Sequence, residues 1–435
     1  MNFESYMAKR FIKSKPYKNT VSSPIIKISI LSIVIGIVMM IISISSSVGL
    51  QKTIESKVSS FFGHISISNF ENNSSFSSLN PFINDFDYNL LQSNDKIKYF
   101  QKVAYKSGLI IKSKNFEGVV LKGVTSKFNW EDFSKYITSG RVISLNSKIS
   151  NEVIISEILS NKLLINLGDK FKATFFKSNS LSIPNERIFK VVGIYNSGLT
   201  EFDQLYFFGD IRHIQKMNKW NIGDAGGIEI FLNKYSHTNE VSIDLYNQTQ
   251  AEISVMSINE RFPEIFNWMS LFDFNVLLII IIMILVGGIN MITALLVTVL
   301  EKTTFIGILK TVGASNKSIR SIFLINGAYL IGLGLLIGNV IGLGLIFFQN
   351  ATGFIKLDPQ TYYVSEFPFD FNFSFLGLYT YLVYNLVSSL RALVRSDFDV
   401  FRSPKTSIYC SYISMSFLSV IRLSLNAGIS VSLRT

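Results

Sequence analysis

Cysteine is almost missing from this 435-residue chain, where Cys410 is the only one. No intrachain disulfide can form, so any exported domain has to hold together by its core alone. Histidine is nearly as scarce. His64, His213 and His237 are scattered, with no cysteine partner and no H-E-x-x-H spacing, so no metal site is expected. No G-x-x-x-x-G-K-[ST] stretch occurs, which leaves no P-loop to cradle ATP phosphates, and no nucleophile elbow is present. The chain is therefore expected not to be an enzyme and to bind no cofactor directly. Acidic residues are outnumbered, 30 against 41 Lys and Arg, for a formal net charge of +11. A basic balance suits nucleic acid, but here the positive charge sits largely beside apolar blocks, which is a pattern of membrane topology.

Those blocks are what the chain has in excess: 48% of residues are hydrophobic and mean hydropathy is +0.34. The first runs from Ile25 to Val48, and a span over residues 25–49 is expected. About 20 residues at 1.5 Å each cross about 30 Å of hydrocarbon. Its one charge, Lys27, lies where the stem can snorkel to headgroups. A signal peptide is the rival, since Lys9, Arg10, Lys13, Lys15 and Lys18 precede the block. The block is too long for a signal core, and no small-x-small cleavage site follows closely. The same lysines place residues 1–24 in the cytoplasm. The second block, Phe274 to Leu300, has no charge at all and gives a span over 273–300; Asn290 near its middle suits an interhelical hydrogen bond. The third covers 319–348. Gly334, Gly338 and Gly342 recur there every four residues, a groove that admits a partner helix. A fourth span over 373–394 is weak, interrupted by Thr380, Asn385, Ser388, Ser389 and Arg391.

Residues 50–272 change character, with strands interspersed with helices. His64–Ser68, Gly118–Val124, Val153–Ile155, Phe171–Phe176, Arg187–Tyr195 and Gly227–Leu232 read as strands, and Glu157–Asn166 as a helix stopped by Gly168-Asp169. An α+β domain of about 220 residues can bury its core without disulfides. With the N-terminus inside, this domain falls outside, the 301–318 link inside and the 349–372 loop outside. Lys302, Lys310, Lys317 and Arg320 fit the inner side.

The link reads Glu301-Lys-Thr-Thr-Phe-Ile-Gly-Ile-Leu-Lys-Thr-Val-Gly-Ala-Ser315. As a helix it places Phe305, Ile308, Leu309 and Val312 on one face and leaves Lys302 and Lys310 wet. Gly313-Ala314-Ser315 breaks it. Such a helix can dock in a partner's groove and pass its motion to two attached spans, although a membrane-surface helix fits the pattern as well.

The stretch resembles the coupling-helix signature of MacB/FtsX-type ABC permeases, with matches at Glu301, Lys302, Ile306, Gly307, Ile308, Leu309, Lys310, Gly313, Ala314 and Ser315. The layout of one span, a large external domain and then the remaining spans is similar too. Within that group the external domain most resembles the lipoprotein-releasing permeases LolC and LolE, at Leu121-Lys-Gly-Val124, Ile154 to Asp169 and Val191 to Asp203. The resemblance implies an inner-membrane permease of four spans, working with LolD-like ATPase subunits and a second permease subunit, in a homo- or heterodimer. Lipoproteins would be the cargo and ATP would be used by the partner. In LolC a hairpin called the Hook recruits the periplasmic carrier LolA just before a P-x-x-R strand opening. Pro184-Asn-Glu-Arg187 is similar, so Lys177, Leu181, Ile183, Pro184 and Arg187 mark a candidate carrier-binding loop. A LolC-like and a LolE-like role both stand, as does another cargo for the same machine or mechanotransmission to periplasmic partners. The family ends in a clean fourth span and a short basic tail, whereas residues 395–435 are serine-rich with scattered charges. A reading-frame shift near Gly377 and a divergent fourth helix both account for that.

Overall fold

The structure is a computed structural model and is described over residues 6–7, 9–10, 22–72, 76–82, 86–112, 115–146, 148–176 and 184–370. The weak span expected at 373–394 and the tail at 395–435 lie outside the described residues. Three long helices dominate, Ser22–Phe62, Pro263–Glu301 and Asn316–Thr352. Segments of these, Ile26–Phe62, Pro263–Gly287 and Asn316–Thr352, are long and apolar enough to cross a membrane. The chain divides into two compact units, one built chiefly from Met1–Leu50 and Met269–Ile355, the other from Gln51–Trp268 with Lys356–Glu366.

The first long helix continues past the expected end at residue 49, to Phe62. The sequence explains this. Ile54, Val58, Phe61 and Phe62 follow at helical spacing and are all buried, so the apolar stripe does not stop where the span does. The second long helix also starts early, at Pro263. Proline suits the first helical position, where its missing N–H would have no partner in any case.

In the helical unit, the first and third long helices pack through the glycine groove. A Cβ placed on Gly334 would come within 2.7 Å of Ile33 Cγ2, one on Gly338 within 2.7 Å of Ile37 Cγ2, and one on Gly342 within 3.0 Å of Ile41 Cδ1. Both rows repeat every four residues, so each isoleucine sits over a glycine and the backbones approach closely.

The second unit is a ten-stranded sheet: β1 (Ile65–Asn69), β2 (Ile97–Lys112), β3 (Asn115–Val124), β4 (Ile137–Gly140), β5 (Glu152–Ser156), β6 (Lys170–Phe175), β7 (Asn185–Tyr195), β8 (Tyr206–Asp210), β9 (Gly227–Leu232) and β10 (Ile253–Ser257). Their order is β10-β1-β9-β2-β3-β8-β5-β7-β4, and β6 pairs with both β2 and β7. That double pairing closes a ring: β2 to β3, β8, β5, β7, β6 and back to β2. The unit is thus a six-stranded barrel with an open three-stranded wing, β10-β1-β9, added beside the long strand β2, and with the short β4 paired to the end of β7. Closure removes free edges from the barrel.

The barrel interior is filled by alternate residues of its strands, including Val119 and Leu121, Val153 and Ile155, Phe171, Ala173 and Phe175, Phe189 and Val191, and Phe207. Leu159 and Leu163 of the short helix Glu157–Leu163 and Ile214 and Met217 of the helix Arg212–Asn218 complete this core. The short helix stops at Leu163, three residues before its expected end. Leu164 turns left-handed at φ 53° and its N–H returns to the Ser160 carbonyl, which caps the helix without glycine. The wing has its own core on one face, where Ile65, Ile67, Ile228, Ile230 and Ile253 pack with Val241 and Leu245 of the helix Thr238–Gln248.

Candidate functional site

The link between the second and third long helices forms a helix of nine residues, Thr303–Thr311. Gly313, at φ +92°, ends it in a backbone conformation that favours glycine. The Ser315 hydroxyl then caps the third long helix by accepting from the Ser318 N–H at 3.2 Å. The link helix does not present one undivided apolar face. Leu309 is buried, and it packs with Phe305 and Ile306 on Ile319, Ile322 and Phe323 of the following helix. Ile308 and Val312, expected to share that face, point away and are 58% and 81% exposed. The following helix folds back over positions 305, 306 and 309, so the apolar residues divide into an anchoring set and a free set. The free side carries Thr304, Gly307, Ile308, Lys310, Thr311 and Val312. Among the described residues, a Cβ at Gly307 would meet no atom within 4 Å. Glu301 and Lys302 are half-buried at the start of the link, whereas Gly313 and Ser315 are exposed and Ala314 half-buried at its end.

Of the candidate carrier loop, Lys177, Leu181 and Ile183 lie outside the described residues. Pro184 is exposed, and Arg187 sits two residues into β7, its guanidinium donating to the Glu186 carbonyl at 2.9 Å. β6 and β7 pair from Phe175 with Asn185 onward. The loop therefore joins adjacent antiparallel strands at one end of the barrel.

The histidines are separate. His213 is buried against Phe189, with Nε2 at 2.9 Å from the Ser150 carbonyl, and burial lowers its pKa. The Nδ1 of His64 accepts from the Leu232 N–H. His237 lies 3.6 Å from Glu240 on the surface.

One buried polar cluster had not been singled out in the sequence. Lys122 is wholly buried, and its ammonium donates to both oxygens of Glu229, at 2.6 and 2.8 Å, and to the Phe61 carbonyl at the end of the first long helix. All three ammonium protons are thereby accepted. Tyr105 also donates to Glu229, as does Gln101 at 2.9 Å. The register assembles the group: Tyr105 faces Lys122 across β2 and β3, and Gln101 faces Glu229 across β2 and β9. Burial draws the Lys122 pKa down to about 8, against the pull of Glu229, so the lysine stays charged at neutral pH. The Phe62 ring lies 4.9 Å from the ammonium, and Phe61 packs on Phe133, Tyr136, Tyr195 and Phe208. The end of the first long helix is thus fixed to the sheet by charge and by aromatic packing together.

With this geometry in place, the family comparisons separate along the same lines. Residues 28–220 match the MacB-like periplasmic core domain, and residues 277–395 match the FtsX-like permease C-terminal. The chain is thus similar to FtsX-like permeases over its C-terminal helices and to MacB-like periplasmic core domains over residues 28–220. The second match runs past Gly377 to residue 395. Curated relatives agree over most of the length. A "lipoprotein-releasing system transmembrane protein LolC" from Buchnera aphidicola subsp. Schizaphis graminum is 27% identical, covering 78% of this chain and 83% of the relative. LolC from Neisseria meningitidis serogroup B is 24% identical over 85% and 90%. LolE from Haemophilus influenzae is 22% identical over 90% and 95%. The relatives are by name transmembrane proteins of lipoprotein-releasing systems, and the matched families are permeases, components of transport.

Proposed function

We propose that the chain is the permease subunit of an ABC machine that extracts lipoproteins from the inner membrane and hands them to a periplasmic carrier. The observation that carries this reading is the lipoprotein-releasing likeness over 78–90% of the chain, spanning sheet unit and helical unit alike. In this reading the link helix lies on the cytoplasmic side, where Lys302, Lys310, Lys317 and Arg320 favour it. A LolD-like ATPase docks on its free side. Its anchored side, Phe305, Ile306 and Leu309, passes the stroke to the third long helix. The second permease subunit completes a cavity open to the outer leaflet, and the loop between β6 and β7 receives a LolA-like carrier. The need for ATP follows from the cargo. A lipoprotein anchor loses about 0.8 kcal/mol for each CH₂ taken out of lipid, so passive release of a multiply acylated protein is negligible. The permease itself binds no nucleotide.

Gly307→Arg tests the docking step. The new Cβ meets no atom of the described residues within 4 Å, so the variant is expected to accumulate and to insert as the parent does. It should lose copurifying ATPase and release of lipoprotein to the carrier. Undiminished release by this variant would remove the link helix from the mechanism.

A further inference from the structure

The sheet face that carries Lys122 and Glu229 also holds a cavity of about 260 Å³. Ser66 of β1, Ser78 and the side chain of Arg261 line it, and Phe76 and Met256 form an apolar wall. Arg261 ends the short helix Ile258–Arg261, just before the second long helix begins.

The charges around this cavity do not balance. Lys122 and Arg261 are cations and Glu229 is the carboxylate among them. Both oxygens of Glu229 are taken up by Lys122, Tyr105 and Gln101. Arg261 forms no ion pair among the described residues. Aromatic rings surround its guanidinium, with Phe62 at 4.9 Å, Tyr105 at 5.1 Å and Phe262 at 5.5 Å, and the Tyr105 hydroxyl and the Glu229 charge favour its charged form. One carboxylate between two cations still leaves a positive charge in excess, which an anion would balance. The pinned, planar guanidinium offers a fork of donors suited to paired oxygens. Ser78 accepts the Tyr105 N–H at 3.0 Å, which leaves its own O–H to donate. Donors thus approach from Arg261, Ser66 and Ser78, which come from different elements around the cavity. That arrangement suits the tetrahedral oxygens of phosphate better than a flat carboxylate.

We propose that this cavity binds a phosphate ester, with Arg261 gripping the phosphate and the Phe76–Met256 wall seating the attached carbon chain. The site stands independently of the transport cargo.

The test uses the full chain in a neutral, phosphate-free detergent, following its thermal unfolding midpoint at constant ionic strength. One arm titrates inorganic phosphate and glycerol 3-phosphate; the other titrates phosphatidylglycerol. A saturable rise in the midpoint is expected in at least one arm. Response to the soluble phosphates alone assigns a free ester, and response to phosphatidylglycerol alone assigns a lipid headgroup. Arg261→Gln should weaken the response by about tenfold or more. Ser66→Leu, which fills the cavity and leaves the Lys122–Glu229 pair intact, should abolish it. No response in either arm, or variants that respond as the parent does, would overturn the proposal. Should Arg261→Gln fail to fold, Ser66→Leu decides alone.

Discussion

Inside the barrel, β6, β7 and β8 meet through Phe171, Phe175, Phe189 and Phe207, and the buried Lys106 on this face of β2 finds a neutral partner, donating to Asn218 at 2.9 Å. On the other side of β2, the same sheet buries a lysine against a glutamate. The two regions use neighbouring stretches of the same strands, since Leu121 faces the barrel and Lys122 the wing. They stabilise the unit in different ways. Apolar packing rewards every member separately, in proportion to the surface removed from water. A buried ion pair is weak as a source of stability, because desolvation consumes most of its Coulomb attraction, and an apolar replacement of the whole pair is often neutral or better. What the pair does supply is position: Lys122 has three acceptors and one of them is the last turn of the first long helix.

Mutation should separate the two modes, beginning with the largest loss. Phe207→Ala in the barrel removes a wholly buried ring and should cost about 3–5 kcal/mol through lost transfer and a cavity, seen as a lower unfolding midpoint of the purified chain in detergent. No second substitution across the sheet should restore it. Lys122→Met should cost about as much, about 3–5 kcal/mol, because Glu229 is left buried and uncompensated. Here a second substitution is expected to help: Lys122→Met with Glu229→Gln should recover at least half of the loss. If the double variant is no more stable than Lys122→Met, the region is ordinary packing and the contrast disappears.

The same contrast explains what was legible in the sequence. The barrel strands β3, β5, β6 and β7 are legible within a few residues, as are β1 and β9 in the wing, because runs such as Val153-Ile-Ile155 and Arg187 to Tyr195 have strand composition between clear turns. β2 was missed although it is the longest strand. Its sequence, Ile97 to Lys112, mixes Lys, Tyr, Gln and Ser with apolar residues because one face meets the barrel and the other the polar cluster. β4, β8 and β10 are not legible because their partners lie far away in sequence, whereas the extension of the first helix is written in the stripe of Ile54, Val58, Phe61 and Phe62 and goes unread only because the hydrocarbon-length run ends before it. A signal for the cluster was present. Lys122 interrupts Val119-Val-Leu-Lys-Gly-Val124 and Glu229 interrupts Gly227-Ile-Glu-Ile-Phe-Leu232. A strand buried on both faces cannot leave a charge alone, so each single charge called for the other. The link helix was found through its motif, but the division of its apolar residues depended on where the next helix folds back, which the motif does not record.

The smallest expected effect lies at the start of β1 and sharpens the comparison through pH. The His64 imidazole is largely buried beside Phe231 and Tyr235, and its Nδ1 accepts the Leu232 N–H at 3.2 Å. Burial, reinforced by Lys98, lowers its pKa from 6.5 to about 4. The folded state therefore favours the neutral ring, while the unfolded chain takes up a proton near pH 6.5. Its contribution is fully present above that value and is lost as pH falls toward 4, by up to about 3 kcal/mol. His64→Asn keeps a side-chain acceptor but cannot titrate. Between pH 7 and pH 4.5 the parent's unfolding midpoint should fall further than the variant's, with the remaining slope common to both. Parallel slopes would mean that the ring is solvated in the folded chain, and that the wing tolerates a charge at His64 that it does not tolerate alone at Lys122 or Glu229.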